Sequence, residues 1–576
     1  MMSEDIVWQK AGDKTGASQK QWNGFNMKIW NSVNNGKVYH STSEVIRTLL
    51  DQKEFENQAA VSEFLNPKLK NLSDPCRIPD MEQAVQRVDL ALREKQPILI
   101  FSDYDVDGMS SGALMYRFLS QMGAKVRVLI PRRFSEGYGL SNEALERAMQ
   151  KIKPSLVVCL DCGTTNVKEV TWLKEQGIDV VIIDHHELPD QLPPADAFVN
   201  PQRSEQDHDL ATVGLVFKFI HAFMKIMEQP DIFDLKAHLD LVALGTISDL
   251  VPLRHDNRIM VHYGLQQLGQ TNHVGLRELM RVAGVKRKPV PSTVGFLIGP
   301  RLNASGRLTS AKEGWRLLTT QDAQYGRELA QKLDELNRER QKVELAVFEE
   351  ARDMVDAQPD EMKTGCIVVA SRNWHQGVIG IVASRLQRIW YRPTIVISID
   401  EDGKGKGSGR SIKGCSLMDA LRNHQEHLAG FGGHAMAAGV EINESDISPF
   451  QNSLNQWFMD HTPPERYQES LDIDVQLPGE LLSRELAQEV SKMQPFGQSN
   501  SMPVFAVDRV KVAGKPKFFG KNHVRFRAEC CDVKFDVVAF GKCEGKLPAQ
   551  ELDLAGHWEM DDFTGAPCFR VVDWRW

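Results

Sequence analysis

The chain contains no run of about 18 uncharged apolar residues, which excludes a helical membrane span. Its first residues, Met1-Met2-Ser3-Glu4-Asp5, carry neither the basic region nor the apolar stretch of a secretory signal. Cysteine is scarce and odd in number, nine in 576 residues, which argues against a disulfide framework and fits a reducing compartment. A cytoplasmic protein without membrane partners is therefore expected. Internal repeats and low-complexity tracts are absent. An overall positive charge is missing too: the net charge of −8 argues against indiscriminate binding to polyanions, although local charge decides contact with phosphates. What remains is the composition of a globular protein, with a length that implies several domains.

The pattern divides the chain into five stretches. Residues 1–90 form an N-terminal extension, polar and then helical, closed by the turn signals Asn66-Pro67 and Asp74-Pro75. Residues 91–320 open with apolar runs that alternate with helical stretches at 141–151 and 166–176, which implies βαβ units and a mainly parallel sheet; the part after 209 reads as mostly helical. Residues 321–360 are charge-rich with apolar residues at helical spacing, and read as a long connecting helix. A second α/β region, 361–462, starts with the strand-like Cys366-Ile367-Val368-Val369-Ala370. Residues 463–576 carry closely spaced short strands, as in a small β-barrel or sandwich.

Four polar clusters stand at the ends of predicted elements. They are Ser102-Asp103-Tyr104-Asp105-Val106-Asp107-Gly108, Leu160-Asp161-Cys162-Gly163, Asp184-His185-His186 and Ser248-Asp249. In an open parallel sheet, ligands bind beyond the carboxyl ends of the strands, so these groups would converge on one cleft. Carboxylates with imidazole suit Mn²⁺, Mg²⁺ or Zn²⁺. An EF-hand is excluded because its twelfth position would be Leu114, where a bidentate Glu is required. Acidic helix caps are the plain alternative for Asp103 to Asp107, but three carboxylates so close repel one another without a cation. Cys159-Leu160-Asp161-Cys162 has CxxC spacing without a second pair, and an apolar strand is the simpler reading. A two-metal site acidifies a water and stabilises both oxygens of a phosphoryl displacement.

Cations and glycines that could hold a phosphate occur in Pro131-Arg132-Arg133-Phe134, in Gly299 to Arg307 and in Lys404 to Ser411; an exposed loop is the alternative for each. In the tail, Lys511, Lys515, Lys517, Lys521, Arg525 and Arg527 interleave with Phe518, Phe519 and Phe526. Basic groups would follow a nucleic-acid backbone while aromatic faces stack bases; the alternative is a barrel with Phe inside and Lys outside.

These motifs, together with Arg133 to Ser141, Leu241 to Asp249, Trp374-His375-Gln376-Gly377 and Phe431-Gly432-Gly433-His434, resemble the DHH phosphoesterases, and among them the RecJ exonucleases, from about Pro97 to the C-terminus. The resemblance implies an α/β fold of two lobes, a DHH domain with a parallel sheet and a DHH-associated domain, joined by a long helix and followed by an OB-like β-barrel. It implies that Asp103, Asp105, Asp107, Asp161, His185 and Asp249 surround one or two Mn²⁺ or Mg²⁺ ions. Asp105 would also serve catalysis, with His186 beside the scissile phosphate and Asp184 orienting the histidines. Arg133, Arg307, Ser408 and Arg410 would grip the 5′ end, with Arg301, Asn303, His375 and His434 in the same DNA-binding set. Lys515, Lys517, Phe518, Phe519, Lys521 and Arg525 would contact DNA on the barrel.

The expected function is a single-strand-specific 5′-to-3′ exodeoxyribonuclease of repair and recombination, releasing 5′-mononucleotides. The resemblance further implies single-strand-binding protein and a recombination helicase as partners. Two rivals are a phosphoesterase for short oligonucleotides or cyclic dinucleotides, whose relatives lack the barrel, and a non-catalytic nucleic-acid-binding scaffold, whose relatives have lost ligands retained here.

Overall fold

The computed structural model describes residues 28–33, 37–133, 136, 137, 139–204, 209–520, 522–543, 545–561 and 564–576. They fall into two compact units. One joins the described residues up to Glu54 with Gln468–Ser491 and Pro503–Trp576, and the other comprises Phe55–Tyr467 and Lys492–Met502.

In the larger unit, β1 (Ile98–Ser102), β2 (Val126–Leu129), β3 (Leu156–Leu160), β4 (Asp179–Ile183) and β5 (Ala197–Val199) make an all-parallel sheet in the order β2-β1-β3-β4-β5. Every residue of β1 and β3 is buried, as unbroken apolar runs require when helices cover both faces. Alternation splits β1 between two cores. Ile98 and Ile100 pack with Val106, Met109 and Ala113 of α1 (Val106–Gln121), while Leu99 and Phe101 pack with α2 (Asn142–Met149) and α3 (Val167–Glu175). The helices α4 (Thr212–Ile226) and α5 (Leu239–Ser248) join the first of these cores. The chain turns to opposite sides of β1, so β1 and β3 flank the switch point where doubly wound sheets place ligands.

After α6 (Gly299–Leu308) comes α7, the 35-residue helix Ala323–Ala357, which occupies the stretch read as a connector. Its Leu329, Ala330 and Leu333 belong to the core of the first lobe, and its Val347, Phe348, Ala351 and Val355 to a core of the second. That lobe is a mixed sheet of β6 (Ile367–Ser371), β7 (Thr394–Ile399), β8 (Lys404–Arg410), β9 (Gly430–His434) and β10 (Ala437–Asn443), ordered β9-β10-β8-β7-β6. The helix α8 (Ile379–Trp390) covers it, sharing a core with β6 and with Val396 of β7.

The smaller unit is a closed five-stranded barrel. β11 (Phe505–Phe519), β12 (His523–Cys530) and β13 (Val533–Ala539) pair in sequence, β13 runs parallel to β15 (Pro567–Arg575), and β14 (Glu551–Met560) closes it by pairing with β15 and β11. The strand Ile29–Ser32 pairs in parallel with Ser470–Ile473, which ties an N-terminal segment into this unit. The two α/β lobes, the long helix and the barrel match the expected architecture.

Candidate metal centre

Each acidic cluster follows a strand or helix end that fixes its direction. Asp103 continues β1, and Asp105 caps α1 by accepting the Gly108 N–H at 2.9 Å. Asp161 leaves β3 with a left-handed φ of 63°, a strained geometry that marks functional turns. Asp184, His185 and His186 follow β4, and Asp249 follows α5. These side chains meet in three overlapping groups whose donor atoms lie within 4.8 Å of one another: Asp103 with Asp105 and Asp161; Asp107 with His185 and Asp249; Asp161 with His185 and His186.

The hydrogen bonds divide the labour. Asp107 accepts the Thr212 and Val213 N–H groups at 2.7 and 3.0 Å, which docks the N-terminus of α4 on the cage. The Thr212 hydroxyl donates to Asp161 at 3.1 Å. The buried Asp184 accepts the Thr164 N–H at 3.1 Å through one oxygen, and through the other the His185 N–H at 2.8 Å and His186 Nδ1 at 2.6 Å. The His186 carbonyl in turn accepts from Asn200 at 3.0 Å. The Asp103 Oδ1 and His185 Nε2 atoms are buried yet make no hydrogen bond. His185 Nε2 nevertheless lies 3.5 Å from Asp161 and 3.4 Å from Asp249.

Electrostatics favour a cation at this place. Burial, then the neighbouring carboxylates, pushes Asp103, Asp107 and Asp161 well above the usual carboxylate range, and Asp249 up to about 7. Burial, reinforced by His186, lowers His185 to about 4, so its imidazole is a neutral ligand. Burial would also lower His186, but its bond to Asp184 overrides this and raises it to about 9. The same bond outweighs burial at Asp184 and holds that carboxyl far below its ordinary value. Orphaned ligand atoms, mutually repelling carboxylates and one neutral imidazole are a donor set for Mn²⁺ or Mg²⁺. Cys159 and Cys162, by contrast, are fully buried and their thiols are pushed up by burial, as packed rather than reactive cysteines are.

The phosphate-binding candidates scatter more. Burial, then the charges of Arg133, Arg340 and Arg410, depresses Arg307 to about 10, and Arg340 is itself paired with Glu344. Arg133 lies over the Tyr104 ring at 5.1 Å, Arg307 donates to the Gly377 carbonyl at 3.1 Å, and Arg410 donates to Ser408 Oγ at 3.1 Å. Arg301 is taken up elsewhere, donating to Asp334 at 2.9 Å and to the Leu297 carbonyl at 2.7 Å. Asn303 is half-buried on α6. His375 Nδ1 accepts the Gly377 N–H at 3.0 Å, and the exposed His434 lies 3.6 Å from Glu187, just after the histidine pair.

On the barrel, Lys515, Lys517, Phe518 and Phe519 are exposed and Phe526 is buried. Arg525 is paired with Asp536 at 3.0 Å and Asp561 at 3.1 Å, and Lys521 lies outside the described residues. Sequence reasoning missed Phe540, 52% exposed, whose ring stands 6.1 Å from that of Phe519. It also missed Gly245, where a Cβ would fall 2.4 Å from Asp107 Oδ1. Nothing local marks Phe540, and Gly245 stands inside the motif Leu241 to Asp249 without its approach to Asp107 being readable there. Thr212 had a signal, a hydroxyl residue opening the apolar run Val213 to Phe217.

Three family models match in order: the DHH family N-terminal domain over residues 97–246, the DHHA1 domain over 363–460 and the RecJ OB domain over 473–571. A single-stranded-DNA-specific exonuclease RecJ of Haemophilus influenzae is 36% identical, with 87% of this chain and 91% of that protein covered. The Bacillus subtilis RecJ is 35% identical over 90% of this chain and 66% of its own length. The crystal structure of Thermus thermophilus RecJ in complex with Mn²⁺ superposes with a TM-score of 0.79 at 27% identity, covering 95% of this chain and 79% of that one. The lobe with the parallel sheet, the second lobe and the closed barrel are thus matched domain by domain, and the chain belongs to the RecJ family of single-stranded-DNA-specific exonucleases.

Proposed function

We propose that the chain is a metal-dependent exodeoxyribonuclease that digests single-stranded DNA from its 5′ end and releases 5′-mononucleotides. The observation that carries this reading is the acid-and-imidazole cage with Arg133 beside it, over the ring of Tyr104 between Asp103 and Asp105. The RecJ relatives are named for single-stranded DNA, and Thermus RecJ structures hold Mn²⁺ or Mg²⁺.

Asp103, Asp105, Asp107, Asp161, His185 and Asp249 would hold one or two such ions, which when bound supply an acidified water and neutralise charge on the phosphodiester. Arg133, Arg307 and Arg410, with Ser408, hold the 5′-phosphate, because guanidinium forks match phosphate oxygens. Arg301 serves instead to fasten α6 to α7 through Asp334. Water adds to the phosphorus between the first and second nucleotides, the P–O3′ bond breaks, and the shortened strand keeps a 5′-phosphate. His186, cationic near neutrality and aimed by Asp184, stabilises the charge and delivers a proton to the departing 3′ oxygen. Phe518, Phe519 and Phe540 with Lys515 and Lys517 hold bases and phosphates on the barrel.

The cysteines are free thiols, which fits a cytoplasmic enzyme. Single-strand-binding protein and a recombination helicase, which expose and cover single strands, are the partners proposed. The small-substrate reading leaves the barrel without a role. The deciding experiment digests single strands labelled at either end, with and without a 5′-phosphate, in Mn²⁺. Mononucleotides from the 5′ end are expected; release from the 3′ end, or rapid cleavage of blunt duplex, rejects the proposal.

A further inference from the structure

The two most exposed large apolar side chains among the described residues are Phe296, at 77%, and Leu250, at 71%. Both stand on segments next to one end of the cage. Leu250 directly follows Asp249 and has a left-handed φ of 60°, unfavourable for a bulky residue. Phe296 belongs to a π-turn, Val294–Ile298, closed by the Gly299 N–H to the Val294 carbonyl five residues back. The turn abuts α5: a Cβ on Gly299 would lie 3.1 Å from Ser248 Oγ, beside Asp249.

A π-turn is a weakly bonded interruption that persists mostly at functional sites. Here it keeps Val294 and Ile298 buried while Gly295 and Phe296 remain exposed. Just upstream, Lys286, Arg287 and Lys288 are exposed as well. An exposed aromatic beside cations is the composition of a platform for unpaired bases. Its place relative to the cage is also suitable. Arg133 lies over the ring of Tyr104, the residue after Asp103, whereas the π-turn meets the cage at Ser248, the residue before Asp249. A strand held at Arg133 by its 5′-phosphate and running across the cage toward Asp249 would meet this turn next.

We propose that Phe296 stacks on a base of the single strand a few nucleotides to the 3′ side of the scissile bond, with Lys286 to Lys288 meeting the adjoining phosphates. The inference rests on the exonuclease reading and adds a contact that selects unpaired bases, since a base inside a duplex has no free face to offer.

The test uses the full chain with Mn²⁺ and 5′-phosphorylated oligonucleotides that carry one abasic residue at each successive position. In the parent enzyme one abasic position raises KM. In Phe296→Ala the intact strand already shows a KM raised about 5- to 150-fold, the range of one lost base stack, and that position no longer matters. Phe296→Tyr restores both, and hydrolysis of a dinucleotide is unchanged by either substitution. An unaltered KM for Phe296→Ala, an abasic profile that survives it, or an equal loss on the dinucleotide overturns the proposal. A parent enzyme that digests no single strand overturns the exonuclease reading, an outcome distinct from a variant that equals its parent.

Discussion

Asp249 is the cage residue whose charge state can be followed most directly. Its carboxyl titrates near 7 in the folded protein against about 3.8 when unfolded, because burial and then Asp105 oppose its ionisation. A folded pKa raised in this way means that the native state binds the proton more tightly. Stability from this group is present at low pH and is lost as pH rises from about 4 to about 7. Without metal, Asp249→Asn is therefore expected to be more stable than its parent by a margin that widens over that interval and is flat above it. Urea denaturation in EDTA at several pH values checks this, and a margin independent of pH would remove the repulsion argument. Adding Mn²⁺ at pH 7.5 inverts the order, since only the parent keeps the full ligand set and gains stability by binding. Asp103, Asp161, His185 and their neighbours were legible in the sequence because charge directly after an apolar strand has few structural uses. The bond from Thr212 to Asp161 and the close approach of Gly245 to Asp107 were not, because they depend on which helix faces the cage.

Among the elements, strand periodicity carried the sheets, and the long polar helix was legible from its spacing and its freedom from proline. The π-turn was not: Val294 to Ile298 reads as ordinary helix, and its closing bond from Gly299 to Val294 leaves no mark in the spacing of apolar residues. Arg301 marks a similar limit. A cation in a glycine-containing segment suggests a phosphate ligand, but its partner Asp334 lies on another helix and is nearly fully buried. Asp334→Ala would leave that guanidinium, itself mostly buried, without its counter-charge. Removing one partner of a buried pair costs about 3–5 kcal/mol. The lower end applies here, since Arg301 keeps the Leu297 carbonyl. Calorimetry should find the transition of the larger unit lowered, with the barrel's transition unmoved. A shift confined to the barrel would contradict the assignment of this pair to the α6–α7 joint.

At the level of the whole molecule, a net charge of −8 conceals local positive ground, so substrate affinity must depend on patches rather than totals. On the barrel the sequence predicted the patch but not its geometry. Beyond the bulge between Ala513 and Lys517, at the end of β11, consecutive Phe518 and Phe519 pair in regular register with Val524 and His523 and are both exposed, while Phe526 is buried. The pairing of Ile29–Ser32 with Ser470–Ile473 was equally illegible, since contacts so distant in sequence leave no local trace. The patch makes a separable prediction about salt. Each phosphate neutralised on a single strand contributes a slope of about 0.7 to the fall of log affinity with log salt. Replacing Lys515 and Lys517 together by Ala should therefore flatten that slope by about 1.4 and weaken binding most at low salt. Phe519→Ala removes a stacking face without removing charge, and should lower affinity by about 1–3 kcal/mol at every salt concentration with the slope unchanged. Titrations of a labelled single strand over a salt series distinguish the two. If the lysine variant shifts the line in parallel, these side chains do not meet phosphates, and if Phe519→Ala changes nothing, the barrel's bases lie elsewhere.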